Sequence, residues 1–400
     1  MTPPWNLADP APPAAGAEVV DRARALAPKI EAHADQIEEA RELPEPVLQA
    51  LVTAGLYRLL LPRSVGGLEV DPLTFVHVIE TVAAADASTA WCLCQAGGCA
   101  MSAAYLNPAV AREVFADPRA ILAWGPGADA RAVAGADGYR VTGTWSFASG
   151  GRHATWFGGH SAIHEADGTP RRRPDGSPEW RTMLFPAARV RLRDVWHVLG
   201  LRGTGSDSYA VEDLHVPAAY SFERESAAER REPGPLYLFP AGSLFAAGFA
   251  AVALALGRRL LDAFVELARD KTPRGARHAL RDNAVVQSQV ARAEARQRAA
   301  RGFLLGSLGE VWRAVVRDRA LGVEQRMLVR LAGTHAIHEA KAVADLAYHA
   351  AGATAIFASA PFERPWRDLH TVIQQLQGRQ AHYETVGQFV LGLEADLTWL

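Results

Sequence analysis

The sequence predicts an α+β chain in three parts: an N-terminal helical domain over residues 17–118, a middle antiparallel β domain over 119–222 and a C-terminal four-helix bundle over 235–400. Apolar residues recur at helical spacing at both ends of the chain. At Pro118 the texture changes to short β-branched or aromatic runs separated by Gly, Pro and Asp. That middle part has no strand–helix alternation and no glycine fingerprint, so it holds no dinucleotide-binding βαβ unit.

Residues 1–16 are rich in Pro and Ala but have neither a basic region nor an apolar core; they read as a flexible arm, not a secretory signal. In the first helical part Val47, Leu48, Leu51, Val52, Leu56, Leu59 and Leu60 mark one face, with Gly55 breaking the period. Asp71-Pro72 and Asn107-Pro108 each combine an N-cap with a proline at the first helical position, where the missing N–H costs nothing. Four or five helices are expected there. The strands are expected at 121–124, 139–147, 156–162, 182–185, 190–192 and 209–216, and residues 166–178, with Arg171, Arg172 and Arg173, form a solvated hairpin loop. In the bundle, Phe245, Phe249, Val252, Leu256, Leu260 and Phe264 follow one face, and 287–321 reads as another long helix. The apolar run 244–256 ends at Arg258 and Arg259, short of the roughly 20 residues that span a bilayer. It is a buried core helix, and no membrane association is expected.

A net charge of −2 gives no field to gather nucleic acid or an anionic membrane. Cys92, Cys94 and Cys99 lie in one apolar stretch and read as small buried hydrophobes in a reducing, cytoplasmic setting. No metal is expected: the cysteine spacing does not suit zinc, and His335 and His338, with Glu339 beside them, lack a further converging ligand and read as a polar helix face. There is no Gly-x-Ser-x-Gly nucleophile elbow and no P-loop.

The stretch YRVTGTWSFASG, Tyr139 to Gly150, resembles the flavin-proximal strand of the acyl-CoA dehydrogenase-like flavoproteins. LLLPRSVGG, ending at Gly67, GLRGTGS, from Gly200 to Ser206, and the Arg367-Asp368 pair within residues 352–376 resemble further segments of that fold in the same order. The wording is closer to one branch, the oxygenase components of two-component flavin monooxygenases of the p-hydroxyphenylacetate and dibenzothiophene type: Trp91 in AWCLC, FASG at 147–150 and WRDLHT at 366–371. The resemblance implies an acyl-CoA dehydrogenase-like fold, a homotetramer and a flavin, FMN or FAD, supplied reduced by a separate reductase. It implies oxygenation of a small aromatic or polycyclic substrate.

By position in the resemblance, Phe147 packs on the isoalloxazine and Ser149 bonds near its N5, where one neutral hydroxyl serves either redox state. Trp124, Gly125, Gly150, Arg274 and Gln287 complete the implied cofactor contacts, although the family's Arg-x-x-Phe-Gly phosphate motif is missing around Arg274 and Arg277. Acyl-CoA dehydrogenases place a carboxylate base about nine residues after the Arg of Arg-Asp, and here that residue is Leu376. The monooxygenase branch has a histidine eight residues after that Arg, here Gln375, and another eight after the early tryptophan, here Cys99. Gln375 donates a hydrogen bond but does not shuttle a proton, and His370 replaces it only if the helix is irregular there. The alternatives are an FAD-dependent acyl-CoA dehydrogenase and a non-catalytic helical bundle.

Overall fold

The computed structural model describes residues 13–397. The proposed N-terminal arm falls largely on residues 1–12, outside the described residues, and the first helix begins at Ala14. The N-terminal part holds six α-helices, not four or five: α1 (Ala14–Ala32), α2 (Ala34–Ala40), α3 (Glu45–Thr53), α4 (Pro72–Ala85), α5 (Ala87–Ala100) and α6 (Pro108–Phe115). Asp71 and Asn107 cap α4 and α6 as the sequence implies, accepting from Thr74 N and Ala109 N. Asp86 separates α4 from α5: its extended backbone ends α4 while its carboxylate accepts from Thr89 N at the start of α5.

The middle part is an eight-stranded sheet: β1 (Leu122–Trp124), β2 (Arg131–Ala134), β3 (Gly138–Ala148), β4 (Trp156–His164), β5 (Trp180–Pro186), β6 (Arg191–Arg193), β7 (Asp207–Pro217) and β8 (Ser221–Phe222). The order is β6-β7-β3-β2-β4-β5-β8, with β1 beside β4. The sheet is mixed, which corrects the antiparallel expectation: β1 and β2 both run parallel to β4. After the β2–β3 hairpin the chain turns at Gly150–Ala154 and re-enters the sheet beside β2 in β2's own direction. Trp145, Phe157, Phe185 and Tyr209 fill the sheet's core, with Trp145 and Tyr209 stacked at 5.3 Å. The arginine triplet sits on the β4–β5 connection, where Arg171 pairs with Glu165 and Arg173 with Glu223.

The C-terminal part has three long helices, α7 (Ala241–Asp270), α8 (Ala284–Asp318) and α9 (Val323–Ala351), and two short ones, α10 (Glu363–Val372) and α11 (Ala381–Val390). A fourth long helix is missing because the backbone breaks at Gly352 and again after Val372. Although α7 is long and apolar enough to cross a membrane, 89% of its most apolar window is buried inside the protein. It packs on α4, α5 and α9 in one core that joins both helical parts. A Cβ at Gly248 would lie 2.4 Å from Cys94 Sγ, so the α5–α7 contact requires both a glycine and a small partner. All three cysteines are free and buried, as the composition implies.

Candidate functional site

Strand β3 ends on an irregularity. Its register with β7 shifts between Trp145 and Ala148, and Phe147 lies in that bulge at φ +61°, an unusual backbone for an aromatic residue. The bulge keeps Trp145 and Ala148 in the core and turns Phe147 outward, 60% exposed, with its edge against Trp196 at 6.0 Å. Val195 and Leu199, on the loop that carries Trp196, are also exposed, so the surface here is apolar. Two residues on, Ser149 is buried.

Ser149 stands in a chain of hydrogen bonds whose direction can be worked out. Trp91 Nε1 donates to Ser149 Oγ at 3.0 Å, Ser149 Oγ lies 2.7 Å from Ser206 Oγ, Ser206 Oγ lies 2.7 Å from Thr204 Oγ1, and Thr204 Oγ1 is 2.8 Å from the Leu201 carbonyl. A carbonyl only accepts, so the one proton on Thr204 goes to Leu201. Ser206 must then donate to Thr204, and Ser149 to Ser206. Ser149 therefore keeps one uncommitted lone pair and no uncommitted proton. In the arrangement that satisfies all four contacts Ser149 is an acceptor; the reversed arrangement makes it a donor and gives up only the Thr204 hydroxyl's contact to a carbonyl that Trp196 Nε1 and Thr204 N also reach.

The far end of this chain is anchored to the bundle. Leu201 N donates to Asp368 Oδ1 at 2.6 Å, and Arg367 reaches the Leu199 carbonyl at 2.7 Å and Glu38 at 2.8 Å. Burial pushes the Asp368 carboxyl up to about 7, against the opposing pull of the Leu201 N–H. The Arg367-Asp368 pair thus ties α10 to the 199–206 segment. On the rim, Arg152 pairs with Asp207, whose other oxygen accepts from Val195 N and Trp196 N and so fixes the Trp196 loop.

Behind Ser149 the surroundings are aromatic. Trp91 stacks on Phe249 at 3.8 Å, and Phe249 on Phe245 at 5.9 Å. Phe245 presses on Gly98, where a Cβ would come within 2.2 Å of its ring. Gly98 in turn lines a recess of about 20 Å³ with Ser102, Tyr105, Trp124, Phe222 and the exposed Arg224 and Glu225. Gln95 donates to the Trp124 carbonyl at 3.2 Å. Burial pushes the thiol of Cys99, at the expected histidine position, far up, so it is neutral.

The remaining predicted residues divide. Trp124 is buried with its ring edge on His160 at 5.1 Å, and Gly125 N donates to Tyr209 Oη. A Cβ at Gly125 would lie 1.7 Å from the Ser146 carbonyl, so only glycine fits beside β3. Gly150 takes the left-handed turn, φ +72°, and donates its N–H to the Thr204 carbonyl. Gln375 follows the end of α10, its Oε1 accepting from Gln377 N while its buried Nε2 has no partner among the described residues. His370 lies on the regular part of α10, its Nε2 2.8 Å from Asp345 and its ring 4.0 Å from that of Trp366. It is tied to α9 through Asp345, and because α10 ends at Val372 the chain between His370 and Gln375 is not one regular helix. Arg274 and Gln287 are exposed around the α7–α8 connection, with Gln287 Nε2 on the Arg281 carbonyl. His338 Nε2 donates to the Gly378 carbonyl, and no metal-binding group of residues occurs among the described residues. The sequence reading missed Thr204 and Ser206 as partners of Ser149, for which GLRGTGS was the available signal.

Residues 16–114 match the acyl-CoA dehydrogenase N-terminal domain and residues 247–377 the acyl-CoA dehydrogenase C-terminal domain. The indole-3-acetate monooxygenase of Pseudomonas putida is 30% identical over 364 residues, 89% of each chain. The oxygenase subunit HsaA, a flavin-dependent monooxygenase of Rhodococcus jostii, is 29% identical over 88% of this chain and 92% of its own. Among solved structures, XiaF from a Streptomyces species, in complex with FADH2 and glycerol, superposes with a TM-score of 0.88 at 26% identity, over 96% of this chain and 98% of its own.

Proposed function

The chain belongs to the flavin-dependent monooxygenases of the acyl-CoA dehydrogenase fold, and we propose that it is an oxygenase component that takes up reduced flavin and places one atom of dioxygen on a small aromatic molecule. The observation that carries this reading is the pairing of an outward aromatic on a strained bulge, Phe147, with a buried hydroxyl held as an acceptor, Ser149. A flat heteroaromatic fits the exposed Phe147 and Trp196 surface. A reduced flavin carries hydrogen on N5, and the open lone pair of Ser149 matches that N–H; oxidised N5 is itself an acceptor and meets no donor there.

When bound, reduced flavin supplies the two electrons that activate dioxygen. The chain's own residues do the rest. Trp91, Phe245 and Phe249 form an aromatic wall that keeps water from the back of Ser149. The unpartnered carboxamide N–H of Gln375 is the donor that this reading offers to an oxygen on the substrate. Neither Gln375 nor Cys99 exchanges protons near neutral pH, so a proton released from the substrate leaves through water. The segment 374–378 contains no carboxylate, which removes the base a dehydrogenase would use there.

The relative from Pseudomonas putida is named for an aromatic acid, which agrees with an aromatic-lined recess. We further assign the chain to a cytoplasmic homotetramer served by a separate reductase, in which exposed Arg274 and Gln287 face a neighbouring chain's cofactor. The test is anaerobic titration with oxidised and reduced FMN and FAD, followed by heavy-isotope oxygen and a panel of phenols and indoles with a reductase. Tighter binding of reduced flavin and incorporation of one labelled atom into product are expected. Tight binding of the oxidised form alone, with no labelled product from any aromatic, overturns the reading.

A further inference from the structure

Leu201 holds a backbone that leucine resists. It sits at φ +52°, in the left-handed region where a Cβ crowds the following carbonyl. Its N–H donates to Asp368 Oδ1 at 2.6 Å, and two residues earlier the Leu199 carbonyl accepts from Arg367 Nη1 at 2.7 Å. Between these bonds Gly200 lays backbone on backbone: a Cβ there would come within 2.3 Å of the Arg367 carbonyl oxygen. Consecutive residues of α10 thus grip the segment on either side of a glycine.

The acceptor in the first of these bonds is a buried carboxyl that makes no ion pair among the described residues. The arginines of its own helix are committed elsewhere, Arg364 to Asp35 and Glu38, and Arg367 to Glu363 and Glu38. Asp86, from the α4–α5 junction, and Glu38, from α2, face it with like charge. A carboxyl so placed destabilises the fold, and an aliphatic side chain would fill the space without that cost. What an aliphatic side chain would not do is accept from the Leu201 N–H, and that is the task the fold gives to Asp368.

Two parts of the surface assigned to the flavin depend on where the Leu201 carbonyl points. It accepts from Thr204 Oγ1 at 2.8 Å, Trp196 Nε1 at 3.0 Å and Thr204 N at 3.1 Å. Thr204 ends the hydroxyl chain that reaches Ser149, and Trp196 is the ring against Phe147. A Leu201 that relaxed to negative φ would turn its carbonyl away from all three donors. We propose that Asp368 is a positioning residue for flavin binding: by holding the Leu201 N–H it keeps that carbonyl aimed at Thr204 and Trp196, and so fixes the Ser149 hydroxyl and the aromatic face beside Phe147 without touching either. The proposal rests on the oxygenase reading only in naming flavin as the ligand of that face. The C-terminal helical part, through α10, thereby sets the affinity of a site built on the sheet.

Amide hydrogen exchange on the full chain without flavin, followed by anaerobic titration with reduced and oxidised FMN and FAD, tests this. In Asp368→Ala the amides of residues 196–206 are expected to exchange ~10-fold or more faster with the rest of the sheet unchanged, and reduced-flavin affinity to fall ~10-fold. Asp368→Asn still offers an oxygen to the Leu201 N–H and should keep both within about threefold of wild type. Val311→Ala, in the buried face of α8, is the comparison for a general loss of stability: it should lower the melting temperature and move neither readout. The wild type alone is already a check, since a Leu201 amide that exchanges as fast as an exposed loop overturns the proposal. So does a folded Asp368→Ala that keeps the protection of 196–206 or its flavin affinity, an Asp368→Asn as impaired as Asp368→Ala, or an equal loss of affinity in Val311→Ala. Faster exchange confined to 196–206 in a chain that binds no flavin in either form leaves the grip on Leu201 standing and sinks the oxygenase reading instead.

Discussion

Replacing Thr204 by valine should invert the redox preference of the flavin site without touching the flavin. In the wild-type arrangement protons run from Trp91 through Ser149, Ser206 and Thr204 to the Leu201 carbonyl, leaving Ser149 an acceptor. The opposite sense, in which Thr204 turns to Ser206 and Ser206 to Ser149, frees the Ser149 proton for an oxidised N5 at the loss of the Thr204–Leu201 bond. One net hydrogen bond is about 1 kcal/mol, so the wild type should favour reduced flavin at this contact by roughly 5-fold. Valine preserves the shape but accepts nothing. Ser206 then has no acceptor in the original sense, whereas in the reversed sense every hydroxyl proton finds a partner once oxidised flavin binds.

The swing is therefore about two hydrogen bonds, ~2 kcal/mol, or roughly 30-fold in the ratio of oxidised to reduced dissociation constants. Little else should change: the Leu201 carbonyl keeps Trp196 Nε1 at 3.0 Å, and Gly150 N still bonds the residue-204 carbonyl. Anaerobic equilibrium titration with both redox forms measures the ratio directly, with a thermal melt to confirm the fold. A folded Thr204→Val protein whose ratio stays within about twofold of wild type would refute the hydrogen-bond polarity and, with it, the assignment of Ser149 as an acceptor.

Three further outcomes are expected. Ser149→Ala removes the acceptor and leaves the Trp91 indole N–H unpaired, so reduced-flavin affinity should fall ~10-fold; unchanged affinity would move the flavin elsewhere. Gly125→Ala forces a Cβ to 1.7 Å from a backbone carbonyl, a clash that no side-chain rotation relieves, and should lower stability by ~3 kcal/mol or abolish soluble expression. Asp368 has a folded-state pKa of about 7, above its ordinary 3.8, so the folded state holds the proton more tightly. Its contribution to stability is full below the ordinary value and is lost as pH rises through about 7. Asp368→Asn still accepts the Leu201 N–H but carries no titration. Its unfolding free energy from chemical denaturation should gain on wild type between about pH 5 and pH 8, by on the order of 1–3 kcal/mol, and parallel profiles would rule the idea out.

The three-part order of the chain was legible because each part is written in its own period and punctuation. Leu48, Leu51 and the Asp71 cap lie where the helical reading puts them, and β3 and β7 match their aromatic and β-branched runs closely. Strand β2 was not legible, since Arg131-Ala-Val-Ala has no aromatic and only one β-branched residue and is a strand only because β3 and β4 flank it. The mixed sheet is invisible for the same reason: direction is set by where the chain re-enters after Gly150, which no local propensity encodes. Gly98 and Gly248 look like weak points in helices; packing of α5 on α7 makes them requirements.

At the site, sequence reading reached the residues whose neighbours in the chain form a motif and missed those assembled across it. Phe147 and Ser149 stand in FASG, but the property that gives Ser149 its chemistry, which way its proton points, is decided at Leu201, across a chain of three hydroxyls from two segments. A hydroxyl alone is neutral between donor and acceptor; a hydroxyl in a chain that ends on a carbonyl is not. The functional signal lies in which hydrogen-bonding capacity the fold leaves unspent, and that can be counted only after every neighbouring group has been paired.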